Sequence, residues 1–235
     1  MHPRRRHHRG DLQLVRSRAT PEREPGLRGR LLDGGMLWVA WLRAPRRVGA
    51  LIPSGMRLAA AMAREVPGGA GLVVELGGGT GSITAGLLCA GIRPAELVVV
   101  ERDARLARRL RRRFPECRVL CGDACRLPRL LASHGIAGPV KAVVSSLPLL
   151  SMSPPSRARL MHGVCTLLAQ HGAMVQYTYG VRCPVPARTL ARDRVRARRI
   201  ARIWRNMPPA SVWRFEPAEL AEPFSEPRLE AASES

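Results

Sequence analysis

The stretch Val73-Val-Glu-Leu-Gly-Gly-Gly-Thr-Gly81 decides the architecture. The run Leu72–Leu76 is apolar around a single acid and short, which predicts a buried strand. Gly77, Gly78, Gly79 and Gly81 follow at once. Glycines in such density mark a backbone that takes positive φ or approaches a ligand closely. The apolar residues after Ser82 predict a helix to about Ala90, whose first free N–H groups face the turn. A dinucleotide-binding turn, G-x-G-x-x-G, would need a third glycine where Ser82 stands. A phosphate-cradling G-K-[ST] loop would need a lysine, and the turn has none. What remains is the pattern E-L-G-x-G-T-G.

Outward from this turn, strands and helices alternate. Leu97–Val100 predicts a second strand ending in Glu101, and Ala104–Arg113 a helix with an arginine-rich face. Arg118–Cys121 predicts a third strand, Leu127–His134 a helix, and Lys141–Ser145 a fourth strand. Pro155–Leu168 predicts a helix with proline tolerated at its start, and Ala173–Thr178 a fifth strand. Apolar strands alternating with helices imply a parallel sheet covered on both faces. Arg196 to Phe215 holds two β-like runs around Asn206-Met-Pro-Pro209, a final hairpin. Residues 217–235 read as a flexible polar tail. Upstream, Ser54 predicts the cap of a helix running to about Val66, and Trp38, Trp41 and Leu42 fall on one helical side. Residues 1–35, with Arg4, Arg5, Arg6 and Arg9, read as a disordered basic arm. Organised sequence begins at Met36, a candidate start that N-terminal sequencing would test.

Composition narrows the function. The 235 residues carry 39 Lys and Arg against 18 Asp and Glu, a net charge of +21, and Lys141 is the one lysine. Such charge implies a polyanionic partner, nucleic acid or an anionic membrane surface. A hydrophobic content of 46% excludes a wholly disordered basic protein, and 4% aromatics argue against base-stacking modules. Cys117, Cys121 and Cys125 form no C-x-x-C and have no histidine nearby, so reduced thiols and no metal site are expected. No secretory signal is visible, and Met36–Leu42 is far shorter than the ~20 residues of a membrane span. The expected location is therefore cytoplasmic, with any membrane contact peripheral.

The E-L-G-x-G-T-G turn, with its strand ahead and helix behind, looks like the first motif of class I S-adenosylmethionine-dependent methyltransferases, a Rossmann-like fold. That resemblance implies a mostly parallel seven-stranded sheet with helices on both faces and a C-terminal hairpin. Glu101, ending the second strand, can accept both hydroxyls of a ribose. The resemblance gives Asp123, beside Ala124 at the end of the third strand, the adenine amino group. A helix N-cap is the alternative role for Asp123, and the two can coexist. Ser145-Ser-Leu-Pro-Leu-Leu150 ends the fourth strand, where the reacting methyl sits in this fold. Nucleobase amine methyltransferases carry [N/D]-x-P-[Y/F] there. Serines replace the amide and Leu149 the aromatic, which argues against a nucleobase acceptor.

A closer resemblance covers residues 36–216. Trp41-Leu-Arg-Ala-Pro-Arg-Arg-Val-Gly-Ala-Leu-Ile-Pro-Ser54, the glycine turn, Val100-Glu-Arg-Asp103, Ser146-Leu-Pro-Leu-Leu150, Gln176-Tyr-Thr-Tyr-Gly180 and Asn206-Met-Pro-Pro-Ala210 are similar to the bacterial phospholipid N-methyltransferase family. That family resembles the rRNA adenine dimethylases in fold. The resemblance implies methylation of phosphatidylethanolamine and its methylated derivatives toward phosphatidylcholine, on an anionic membrane surface, with no nucleic-acid partner. It implies cofactor contacts at Glu75, Gly77, Gly79, Gly81, Glu101, Arg102, Asp123, Ala124 and Ser145. Gly78 departs from the family's proline, which fits the turn and would leave the loop more flexible. The 36–66 segment, with Trp38, Trp41, Arg43, Arg46 and Arg47, suits amphipathic membrane-contacting helices. Two other readings stay open: an rRNA adenine dimethyltransferase, and a non-catalytic protein of the same fold.

The reaction expected is in-line displacement at the sulfonium methyl by a neutral amine, with no metal. Placing nitrogen and carbon at ~3–3.5 Å supplies much of the rate. Tyr179 and Tyr177, the only tyrosines, end the fifth strand on a shared face. The Tyr179 ring can stabilise a developing quaternary ammonium and its hydroxyl orient the amine. Ser145 would position donor and acceptor. His171, expected in the turn before that strand, is given no role as a base.

Overall fold

The computed structural model describes residues 53–203 and 209–218. The basic arm, the Trp38–Arg47 segment, the Asn206–Pro208 part of the hairpin turn and the tail beyond 218 lie outside the described residues. Seven strands form one sheet: β1 (Leu72–Leu76), β2 (Leu97–Glu101), β3 (Arg118–Cys121), β4 (Val140–Ser145), β5 (Leu168–Thr178), β6 (Val195–Ile203) and β7 (Ala210–Pro217). Their order is β3-β2-β1-β4-β5-β7-β6. The first five run parallel, and β7 is antiparallel to both β5 and β6. The described residues also form helices α1 (Pro53–Ala63), α2 (Ser82–Cys89), α3 (Ala104–Arg113), α4 (Leu127–Ser133), α5 (Pro154–Cys165) and α6 (Ala187–Arg192), with short 3-10 turns at Pro94–Glu96, Ala124–Arg126 and Leu149–Ser151.

The central strands are mostly apolar because both of their faces are covered, with Glu75, Lys141, Ser145 and Gln176 as buried polar exceptions. Val73, Leu97, Val99, Ala142, Val144, Val175 and Val212 point to α1, α2 and α3, with Leu58, Met62, Leu87 and Leu110 packed over them. The alternate residues Val74, Leu76, Val98, Val100, Val143, Met174 and Phe215 meet α4 and α5 through Leu127, Leu131, Leu160 and Val164. The helices α1 and α2 meet at Gly86, where a Cβ would come within 2.1 Å of the Ala59 Cβ.

The described elements differ from the sequence reading in several places. The first helix starts at Pro53, so Ser54 falls in its first turn and is not the cap. The fifth strand starts at Leu168, which pairs with Val140 ahead of a register shift, so the preceding helix ends at Cys165. Gly172 permits that irregularity: a Cβ there would stand 3.0 Å from the carbonyl oxygens of Ala169 and Val140. His171 therefore lies within β5 and is exposed. The short arginine-bearing α6 had no apolar periodicity to announce it.

Candidate active site

The β1–α2 turn is fastened to the end of β2. The N–H groups of Gly77 and Gly78 donate to the Val100 carbonyl at 2.8 and 3.3 Å. Gly79 N–H donates to Glu101 Oε2 at 2.8 Å, and Asp103 N–H donates to Glu101 Oε1 at 2.8 Å. Glu101 thus bridges the two strand ends, each oxygen keeping a lone pair for a further donor. Gly77, Gly79 and Gly81 have φ of 80°, 53° and 85°, the region that disfavours side chains. Gly78 is needed for a different reason. A Cβ there would lie 2.5 Å from Val99 Cγ1 and 2.8 Å from Leu110 Cδ1. Gly78 is buried and its N–H is hydrogen-bonded in the turn.

Gly81 precedes α2 in left-handed conformation and gives no side-chain cap. The first N–H groups of α2 therefore face the turn, a setting that favours an anionic group. Beneath it, Glu75 is fully buried at the end of β1. Its Oε2 accepts from the Thr84 hydroxyl at 2.7 Å, and its Oε1 has no partner. Burial pushes the Glu75 carboxyl up to about 8, against the opposing pull of Thr84.

The other cofactor candidates border this turn. Arg102 is exposed, and its carbonyl accepts from the Cys121 thiol at 3.9 Å. Asp123 Oδ1 accepts from Cys125 N–H at 2.9 Å and caps the 3-10 turn Ala124–Arg126, so its capping role is realised with Ala124 next to it. Asp103 caps α3 by accepting from Arg105 and Leu106 N–H. Those bonds hold its carboxyl below the usual carboxylate range.

The fourth and fifth strands supply the rest. Ser145 is fully buried, and its Oγ accepts from Leu147 N–H at 3.3 Å. Ser146 N–H donates to the Leu76 carbonyl at 2.9 Å, which draws the β4 loop over the end of β1. Leu147 then lies against the glycine turn: a Cβ on Gly77 would be 3.1 Å from its Cδ2. Tyr177 and Tyr179 stack edge to face with ring centroids 5.5 Å apart, packed on the α1–α2 side of the sheet. Burial and the neighbouring Tyr179 push the Tyr177 hydroxyl well above its ordinary value. It stays protonated at neutral pH and can donate, so it is not a base.

One residue escaped the sequence reading. Gln176 is 1% exposed, and its Nε2 donates to the Leu147 carbonyl at 3.0 Å and to the Tyr177 carbonyl. It pins the β4 loop to β5. The available signal was a lone amide inside an apolar strand. In register, Ser145, Gln176 and Trp213 stand side by side on β4, β5 and β7. In and beside this row, Ser146 Oγ, Gln176 Oε1 and Trp213 Nε1 are buried without hydrogen-bond partners, an unusual concentration for a native interior. Among the described residues no cluster of His, Cys, Asp and Glu could hold a metal.

No protein-family model matches the chain. An ornithine lipid N-methyltransferase from Singulisphaera acidiphila is 35% identical over 136 residues, spanning 56% of this chain and 70% of that protein. Among solved structures, the 1,6-didemethyltoxoflavin-N1-methyltransferase of Burkholderia thailandensis aligns with a TM-score of 0.55 at 14% identity, covering 84% of this chain and 93% of that one. The magnesium protoporphyrin IX methyltransferase of Synechocystis gives 0.54 at 12% identity, covering 81% and 95%. A TehB-like S-adenosylmethionine-dependent methyltransferase from Corynebacterium glutamicum gives 0.51 at 15% identity, covering 79% and 99%.

Proposed function

This chain belongs to the family of bacterial lipid N-methyltransferases and has the Rossmann-like class I methyltransferase fold, and we propose that it methylates the amine nitrogen of a membrane lipid. The observation that carries the reading is the glycine turn bridged to Glu101 through Gly79 N–H.

S-adenosylmethionine fits the residues present. Its ribose diol suits Glu101 and its carboxylate the uncapped N–H groups of α2. Its sulfonium methyl is the electrophile it supplies when bound. Gly77, Gly79 and Gly81 hold the turn open to close approach, and Asp123 with Ala124 borders the adenine side implied by the resemblance.

The chain's part in transfer is placement. Leu147, held by Gln176 and by Ser145, walls the crevice opposite Gly77. Tyr179 and Tyr177 offer an aromatic face to the charge that grows on nitrogen, and the protonated Tyr177 phenol can orient the amine. The amine enters as free base, its proton left to solvent. Among the described residues no helix is long and apolar enough to cross a membrane, so the lipid would be met at the bilayer surface.

The sequence resemblance favours phosphatidylethanolamine as acceptor. The named relative favours an ornithine lipid, which shares a free primary amine on a lipid headgroup. The test incubates the full chain with methyl-labelled S-adenosylmethionine and, separately, vesicles of phosphatidylethanolamine, vesicles of ornithine lipid, or ribosomal RNA. Label on a lipid amine is expected, and the better vesicle identifies the acceptor. Label in RNA, or none in either lipid, would overturn the reading.

A further inference from the structure

Helix α3 carries Arg105, Arg108, Arg109 and Arg112 at spacings i, i+3, i+4 and i+7. Those spacings put four guanidiniums on one face, along about 10 Å of axis. All four are exposed, and the opposite side of the helix is anchored by buried Ala107 and Leu110. Other arginines have partners: Arg93 with Glu96, Arg192 with Asp193, and Arg214 with Glu65 and Glu216. On α3 itself, Arg111 donates to the Val119 carbonyl and Arg113 to that of Thr80. The guanidinium groups of the four ridge arginines make no hydrogen bond or salt bridge among the described residues. Asp103 is near enough to feel Arg105 and Arg108, but its carboxyl accepts the capping N–H groups.

We propose that this ridge docks the protein onto the phosphate groups of an anionic bilayer. The proposal rests on the lipid acceptor argued above and adds the surface that brings it to the site. Arg102 follows directly on Glu101, and Arg105 lies in the first turn of α3 just beyond it, so the ridge begins close to the rim of the crevice. An acceptor anchored in a bilayer reaches that crevice only if the rim faces the membrane. Guanidiniums without an aromatic between them grip phosphate and offer no platform for stacked bases, which favours a lipid surface over single-stranded RNA.

The test compares the full chain with two quadruple variants. One carries Arg105→Gln, Arg108→Gln, Arg109→Gln and Arg112→Gln. The other, with the same charge loss, carries Arg159→Gln, Arg188→Gln, Arg196→Gln and Arg198→Gln. Sedimentation with vesicles of phosphatidylglycerol and phosphatidylcholine is expected to show binding weakened by about tenfold or more in the ridge variant. The second variant should bind within about threefold of wild type, and lysine at the four ridge positions should restore binding. Circular dichroism checks that α3 persists, as expected for exposed side chains. Vesicle binding unchanged in the ridge variant, or equal losses in both variants, overturns the proposal. So does tighter binding of RNA than of vesicles that the ridge variant abolishes. Methyl transfer to detergent-dispersed lipid separates the two readings. Its retention in the ridge variant supports docking. Its absence in wild type, with ridge-dependent vesicle binding intact, would sink the lipid acceptor and leave docking standing.

Discussion

The two halves of the site are built differently. At the ends of β1, β2 and β3, Glu101, Asp103 and Asp123 all accept backbone N–H groups. Just past β4, near the end of β5 and midway along β7, Ser146 Oγ, Gln176 Oε1 and Trp213 Nε1 stand buried without partners. A carboxylate that organises backbone needs a fixed spacing from its turn, so it leaves a motif. A side chain that serves the acceptor through tertiary neighbours leaves only a residue type.

The exception on the cofactor side gives the largest expected effect. Glu75 holds its proton in the folded chain up to about pH 8, against an ordinary value of 4.5. The folded state's advantage is therefore complete below pH 4.5 and is lost as pH rises through that window. Denaturant melts across the window should show wild type losing a few kcal/mol relative to Glu75→Gln. Parallel pH profiles for the two proteins would show that Glu75 is ionised in the fold.

Gly78→Pro should follow in size. It adds a Cβ against Val99 and Leu110 and deletes the N–H bonded to Val100, at a cost of about 3 kcal/mol by chemical denaturation. Wild-type stability in that variant would mean the turn has room that the packing denies.

Gln176→Leu sharpens the contrast between the halves. It frees the β4 loop from β5, so the apparent KM for lipid should rise about tenfold, in line with a lost buried hydrogen bond. Affinity for S-adenosylhomocysteine should stay within about twofold. If both constants move together, Gln176 supports the whole site and the halves are not separable. A kinetic effect of similar size concerns Tyr179. Tyr179→Leu should lower kcat about tenfold, and Tyr179→Phe less, because the ring face carries the cation attraction. Equal losses in the two variants would give the hydroxyl the larger part.

How much of this was legible in the sequence follows the same division. The strands β1 to β4, the glycine turn and its two partner acids have local signatures: apolar runs, glycine density and an acid at each strand end. Asp123 could be read both as a cap and as a ligand group, and the fold realises the cap. Gln176 was hidden because its work lies in a carbonyl 29 positions away. The early start of β5 was hidden because Leu168 joins the sheet through a register shift that Gly172 allows. The helix α6 was hidden by its brevity and charge.

The most direct measurement titrates S-adenosylhomocysteine calorimetrically into wild type, Glu101→Ala and Tyr179→Leu, with no lipid present. One bound ligand is expected in wild type and in Tyr179→Leu, with affinity reduced about a hundredfold in Glu101→Ala, which removes charge-assisted bonds. Undiminished binding by Glu101→Ala, or none by wild type, would contradict a cofactor held between the glycine turn and the end of the second strand.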